Sequence, residues 1–226
     1  MLLCLKTKFV CMNKSSEKIV LTICRNNEET CSDCSLFGNL MCKMEHKDTI
    51  IFVWPFITMI GLLTAGIIIT RIKVGTPWWA IITFIGVYFF YMLFFFNIWE
   101  SKILCSHCPF YVIDDSKILK CYANYGFLKT AKYNPAPISK SEQIQFLIGA
   151  LLLFIIPLTF LLIIQSFLFA GLVALSTLIF FVNTMNTSCK KCPNFSCILN
   201  RVSEEWKEEY FKKNEVMRKA WEENSQ

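Results

Sequence analysis

QIQFLIGALLLFIIPLTFLLIIQSFLFAGLVALSTLIFFVNTMNTSC, from Gln143 to Cys189, contains no Asp, Glu, Lys or Arg. A helix needs roughly 20 apolar residues to cross a hydrocarbon core about 30 Å thick. This run is about twice that long. As one helix of about 40 residues it would reach roughly 60 Å. As two helices joined near Gln165 and Ser166 it fits, with Pro157 expected to kink the first of them.

Two further charge-free stretches, Thr49 to Thr70 and Val74 to Trp99, fit one span each. The sequence therefore predicts helices at about 50–70, 78–99, 144–163 and 167–185. The fold class is an all-α integral membrane protein with four transmembrane helices in two hairpins. Gly75, Thr76 and Pro77 make the first turn, followed by interfacial Trp78 and Trp79. The expected organisation is an N-terminal cysteine-rich segment (1–49), a first transmembrane hairpin (50–99), a cysteine-rich loop (100–143), a second hairpin (144–185) and a cysteine-rich tail with an amphipathic helix (186–226). Met1 to Val10, interrupted by Lys6 and Lys8, does not read as a secretory signal.

Charge sets the expected orientation. Of 23 Lys and Arg, only Arg71 and Lys73 fall in the loop between the first two spans. The others lie in the N-terminal segment, the central loop and the tail. The positive-inside rule places those three segments, and both termini, in the cytoplasm of a multi-pass plasma membrane protein. The net charge of +6 is thereby accounted for by membrane topology, with the lipid bilayer as partner and no nucleic acid. No span contains a charge or a His, which argues against an ion pump, a proton relay, a channel, or haem held between helices. Phe89, Phe90, Phe94, Phe95 and Phe96 in the second span read as packing against neighbours or lipid in preference to a quinone pocket.

All 12 cysteines lie on the expected cytoplasmic side. Nine form three similar groups: Cys31, Cys34 and Cys42; Cys105, Cys108 and Cys121; Cys189, Cys192 and Cys197. Each is a C-x-x-C with one later cysteine, and Pro109 and Pro193 follow two of the pairs. Cys24 is a candidate fourth ligand for the first group, whereas Cys4 and Cys11 have no clear partner. Two intervening residues allow a tight turn that brings both thiolates to one metal, with backbone N–H groups bonded to sulfur. A reducing cytoplasm disfavours a disulfide framework. Both an iron–sulfur cluster and Zn2+ fit such ligands. One grouping is a four-cysteine site from Cys105, Cys108, Cys189 and Cys192, with Cys121 and Cys197 as second-site ligands or replacements. His107, inside its C-x-x-C, is a candidate supporting group or ligand; His46 reads as exposed.

In the central loop, Tyr111 to Ile113 and Lys117 to Cys121 suggest two short strands, with turns at Asn124 to Gly126 and Asn134 to Pro137. In the tail, Ser203 is the expected N-cap of a helix striped by Trp206, Tyr210, Met217 and Trp221, with Asn214 a candidate break. This helix is expected either to lie on the membrane surface or to cover the cysteines.

The four-helix layout with cytoplasmic C-x-x-C-P resembles that of membrane quinol-dehydrogenase polyferredoxins, although the spacing there is C-x-x-x-C-P and ferredoxin repeats are missing here. The cysteine-rich loop between spans two and three resembles the layout of palmitoyltransferases, whose Asp-His-His-Cys motif is absent. The functional expectation is a membrane metal-binding protein: an iron–sulfur electron-transfer or redox accessory protein, a zinc-stabilised adaptor for a cytoplasmic partner, or a membrane thiol–disulfide oxidoreductase.

A membrane-impermeant thiol reagent applied to intact cells should label none of the cysteines and should reach them after permeabilisation. Labelling of Cys189 or Cys192 from outside would show that residues 143–189 cross the membrane once.

Overall fold

A computed structural model describes residues 34–42, 46–112 and 116–224, with His46 and Asp48 described in backbone only. Four of its helices are long and apolar enough to cross a membrane. They are α1 (His46–Val74), α2 (Trp78–Phe94), α3 (Lys140–Ile163) and α4 (Phe167–Asn186). Two short helices, α5 (Glu204–Lys213) and α6 (Glu215–Glu223), complete the tail. Large apolar side chains cover the outside of the spans, among them Trp54, Ile72, Phe90, Ile163 and Leu168. A helix that is apolar all round matches hydrocarbon, not water.

The helices pack in the order α1, α4, α3, α2. The closest pairing is α1 with α4; α4 also packs on α3, and α3 on α2. Within the first expected hairpin, α1 and α2 share at most marginal backbone contact. Small residues set the approaches. A Cβ on Gly66 of α1 would lie 2.7 Å from Cβ of Phe169 in α4, and one on Gly149 of α3 would lie 2.6 Å from the Phe95 ring.

Pro157 sits inside α3 and has no N–H for the carbonyl of Leu153, four residues back. The Tyr88 hydroxyl donates to that carbonyl at 2.8 Å, and Tyr91 donates to the carbonyl of Gly149 at 2.7 Å. Tyr88 therefore replaces the bond that proline removes, and Tyr91 adds a second link from α2 to α3 one turn earlier.

The turn between α3 and α4 falls where the sequence places it. Gln165 adopts a left-handed φ of 61°. Its N–H bonds to Leu162 O at 3.0 Å, and that of Ser166 to Leu161 O at 2.8 Å. These are the paired bonds of a Schellman cap. At the other end of α3, Ser139 and Glu142 form a capping box, with Ser139 N–H donating to Glu142 Oε2 at 2.8 Å and Glu142 N–H to Ser139 Oγ at 3.3 Å. The α2 helix runs on through a π-helical turn, Phe95–Trp99, and one α-turn, Glu100–Ile103.

The strand expectation does not hold: among the described residues there are only isolated bridges, one of them antiparallel between Ile118 and Leu128. Tyr111 and Val112 belong to a 3-10 turn, Pro109–Val112. The Tyr111 hydroxyl, which donates to Ala131 O at 2.6 Å and accepts from Ala131 N–H at 2.9 Å, fixes that turn from across the loop. The tail helix does break at Asn214, whose Oδ1 caps α6 by accepting from Met217 N–H at 3.0 Å. Its stripe faces inward: Tyr210 and Met217 form a buried cluster with Leu36, Leu40 and Phe195, flanked by Trp206 and Trp221.

Replacing Tyr88 with Phe should lower stability by about 1 kcal/mol, the scale of a hydrogen bond between membrane helices. Gly149→Ala should cost about 1–3 kcal/mol through overpacking. Gly86, with open space around its Cα, is the control. Melting of the three variants in one detergent checks this, and equal losses at Gly86 and Gly149 would refute the close approach.

Candidate metal centre at one end of the bundle

The segments that follow α2 and α4 meet at one end of the bundle and carry six of the described cysteines, Cys105, Cys108, Cys121, Cys189, Cys192 and Cys197. After α2, Cys105–His107 forms a 3-10 turn and Cys108 is extended, as a residue before proline prefers. The Cys108 N–H closes the C-x-x-C turn on Cys105 O at 3.0 Å. After α4, Cys189 N–H bonds to Thr184 O at 2.9 Å and Cys197 N–H to Asn194 O at 3.2 Å.

Buried amides join these loops. Asn194 Nδ2 donates to Leu104 O at 3.1 Å, linking the segment after α4 to that after α2. Asn200 Nδ2 donates to Cys192 O at 2.8 Å and to Asn194 O at 3.0 Å. The N-terminal segment docks on the same assembly through Met41 N–H and Lys191 O, 2.8 Å apart. The central loop is held on α2 by Thr130, whose Oγ1 donates to Asn97 O at 2.8 Å and whose N–H donates to Ser101 Oγ at 3.2 Å.

Six sulfurs converge here. Cys105, Cys108 and Cys189 are buried, and Cys121, Cys192 and Cys197 nearly so. At four of them the backbone N–H of the residue two positions on favours the thiolate: Phe110 at Cys108, Ala123 at Cys121, Asn194 at Cys192 and Leu199 at Cys197. The Tyr122 hydroxyl acts on Cys192 in the same sense, and Asn124 Nδ2 donates to Cys105 Sγ at 3.2 Å. Cys108 lies within electrostatic reach of Cys192, Cys121 and Cys197, and Cys192 within reach of Cys121, Cys197 and Cys189.

Burial dominates the electrostatics of these thiols, and neighbouring sulfurs add to it. Cys108 is pushed well above the ordinary thiol range and Cys192 is raised. Cys121 and Cys197 are pushed up to about 12, and Cys189 to about 11. Each thiolate is costly to form without a positive partner. As the side chains are placed, no three Cys, His, Asp or Glu among the described residues stand close enough together to hold a metal ion.

The remaining expected residues are distributed differently. Cys34 and Cys42 lie half-buried against the Tyr210 and Met217 cluster of the tail. Cys4, Cys11, Cys24 and Cys31, with Ile113 of the loop, lie outside the described residues. His107 is buried with Nδ1 2.6 Å from Ala136 O and Nε2 4.0 Å from Glu142 Oε1. The ring joins the loop to the start of α3 and carries no sulfur contact.

Sequence reasoning missed Glu100. It is buried, its Oε2 has no hydrogen-bond partner among the described residues, and it stands within electrostatic reach of Cys105, Cys121 and Cys197. In the sequence it is merely the first charge after a span. Asn194 and Asn200 carried a weak signal: each amide lies within ten residues of a C-x-x-C-P. Comparison with protein-family models, with curated proteins and with solved structures finds no match for this chain.

Removing the Asn194 amide leaves the Leu104 carbonyl with only the His107 N–H, at 3.3 Å, and cuts the bond between the two loops, a loss of about 0.5–1.5 kcal/mol. Asn194→Ala should therefore raise the rate at which Cys105 and Cys108 react with a maleimide in detergent. Asn186→Ala, at an exposed helical position, should not. Equal rates in both variants would show that the amide does not hold the loops together.

Proposed function

We propose that this is a membrane metal–thiolate protein, with an iron–sulfur centre at one end of its bundle serving electron transfer to or from a partner protein. The observation that carries the reading is the gathering of Cys108, Cys121, Cys192 and Cys197 within electrostatic reach of one another, each with its thiolate favoured by the backbone N–H of the residue two positions on. Such N–H groups are the supporting contacts of metal-bound cysteine. A metal cation supplies the positive partner that buried thiols otherwise lack and deprotonates them on binding. Rotation of the side chains about χ1 is the movement that ligation asks of this arrangement.

The expected grouping of Cys105, Cys108, Cys189 and Cys192 is accordingly revised. The proposed ligands are Cys108, Cys121, Cys192 and Cys197, one C-x-x-C cysteine and one later cysteine from each half. Cys105 and Cys189, at the ends of α2 and α4, are the nearest replacements. Cys24, Cys31, Cys34 and Cys42 remain candidates for a second site in the N-terminal segment.

The zinc-stabilised adaptor is the second reading. It draws on the small size of the apolar clusters beside the cysteines, such as Cys105, Tyr111 and Leu119. A unit with so little core gains from a metal staple. Thiol–disulfide exchange fits less well, because an attacking thiol needs exposure and a lowered pKa. The side bearing the cysteines is assigned to the cytoplasm of the plasma membrane from the charge asymmetry.

Protein purified without oxygen should be brown, contain iron and acid-labile sulfide, and bleach with dithionite. Cys108→Ser and Cys192→Ser should each lower bound metal severalfold, whereas Cys4→Ser should not. Colourless protein with stoichiometric zinc would replace electron transfer by the adaptor role, and metal-free protein would remove both.

A further inference from the structure

The opposite end of the bundle carries a different feature. The backbones of α1 and α2 make at most marginal contact, and an apolar groove of about 590 Å³ lies between them. Leu63, Ile67 and Ile68 of α1 and Ile81, Ile85 and Phe89 of α2 line it, and Arg71 and Trp78 stand at its mouth. The guanidinium lies 5.0 Å over the Trp78 ring. Its Nε is buried and has no hydrogen-bond partner among the described residues.

Nothing in this part of the chain supplies an anion. Between Asp48 and Glu100 there is no carboxylate, nor is there one between Glu142 and Glu204. The turn Gly75 to Pro77 and the turn Ile164 to Ser166 together hold no acid either. The partly exposed guanidinium, with its Nε buried and no carboxylate near, is open to an anion from outside, and Arg recognises phosphate through its fork of donors. In a bilayer, a phosphate joined to apolar chains is a phospholipid, and one whose headgroup carries no cation of its own leaves the phosphate charge for the guanidinium to balance.

We propose that the groove between α1 and α2 binds one anionic phospholipid, with an acyl chain along Ile67, Ile68, Ile85 and Phe89 and its phosphate on Arg71. Trp78 covers the glycerol region from the interface, where its ring is at home. The chain fills the space between the two helices, and the volume lies within the range of ordinary ligand pockets, about 300–1,000 Å³. The site is separate from the cysteines and does not depend on the metal reading.

The test is native mass spectrometry of the full chain in detergent, titrated with palmitoyl-oleoyl phosphatidylglycerol or with phosphatidylcholine of the same chains. The wild-type protein should retain a single phosphatidylglycerol with a preference of about fivefold, the scale of one basic side chain at a lipid surface. Arg71→Gln should abolish the preference, Lys73→Gln should keep most of it, and Ile85→Trp should weaken both lipids by filling the groove. Equal retention of the two lipids by wild-type protein would overturn the proposal without reference to any variant. So would a preference that survives Arg71→Gln, a co-purified quinone that phosphatidylglycerol cannot displace, or a dimer in which both lipids are excluded.

Discussion

The carbonyl of Leu153 lies among apolar helices, and Pro157 cannot donate to it. In hydrocarbon no water can take the place of the missing N–H, so an unsatisfied backbone group costs several kcal/mol. The Tyr88 hydroxyl answers that demand at 2.8 Å, and this fixes α2 against α3 in register. Phe84 stacks on Phe160 at 3.9 Å one turn away, and Gly149 admits the Phe95 ring on the other side. With α2 committed to α3, and α4 held to α1 around Gly66, the backbones of α1 and α2 make at most marginal contact, and so do those of α2 and α4.

The resulting helix order is α1, α4, α3, α2, with α3 also touching α1, and the two ends of the bundle behave differently. At the cysteine end, α2 and α4 run into loops that lie side by side although the helices themselves make at most marginal contact. Asn194 supplies an amide bond between these loops, Asn200 braces the second of them, and six cysteines gather there. Burial favours their neutral thiols, and a cation would favour the thiolates. At the other end the three-residue turn Gly75 to Pro77 joins α1 to α2, and an apolar groove remains between them.

Much of this was legible in sequence because membrane spans are read by composition. The charge-free runs located all four helices, Gly75 and Gln165 to Ser166 located the turns, and Asn214 located the break in the tail. The capping box at Ser139 and Glu142 was equally legible, as an S-x-x-E before an apolar run. The central loop was not. Its alternating residues resemble strands, but Pro109 starts a 3-10 turn and Tyr111 is committed to Ala131 across the loop, a tertiary contact that overrides local propensity. Glu100 was hidden for a similar reason. A charge at a span boundary is ordinarily solvated, and only the π-helical turn at Phe95–Trp99, which carries the chain on towards Cys105, accompanies it into the interior.

The grouping of the cysteines lay beyond sequence because spacing speaks of pairs and folding speaks of neighbours. Cys105 and Cys108 are adjacent in any C-x-x-C turn. Whether Cys121 joins them depends on the turn at Asn124 to Gly126, where Gly126 takes a φ of 90° and its N–H returns to Leu119 O at 3.0 Å. That reversal presents the N–H groups of Ala123 and Asn124 to the Cys121 sulfur and leaves the Asn124 amide for Cys105. The same loop places Tyr122 on Cys192 from the other half of the chain. A link through these sulfurs would therefore join α2 to α4 at the one end where the helix order α1, α4, α3, α2 leaves them unjoined. Metal binding and bundle closure would then be a single equilibrium, in which each stabilises the other.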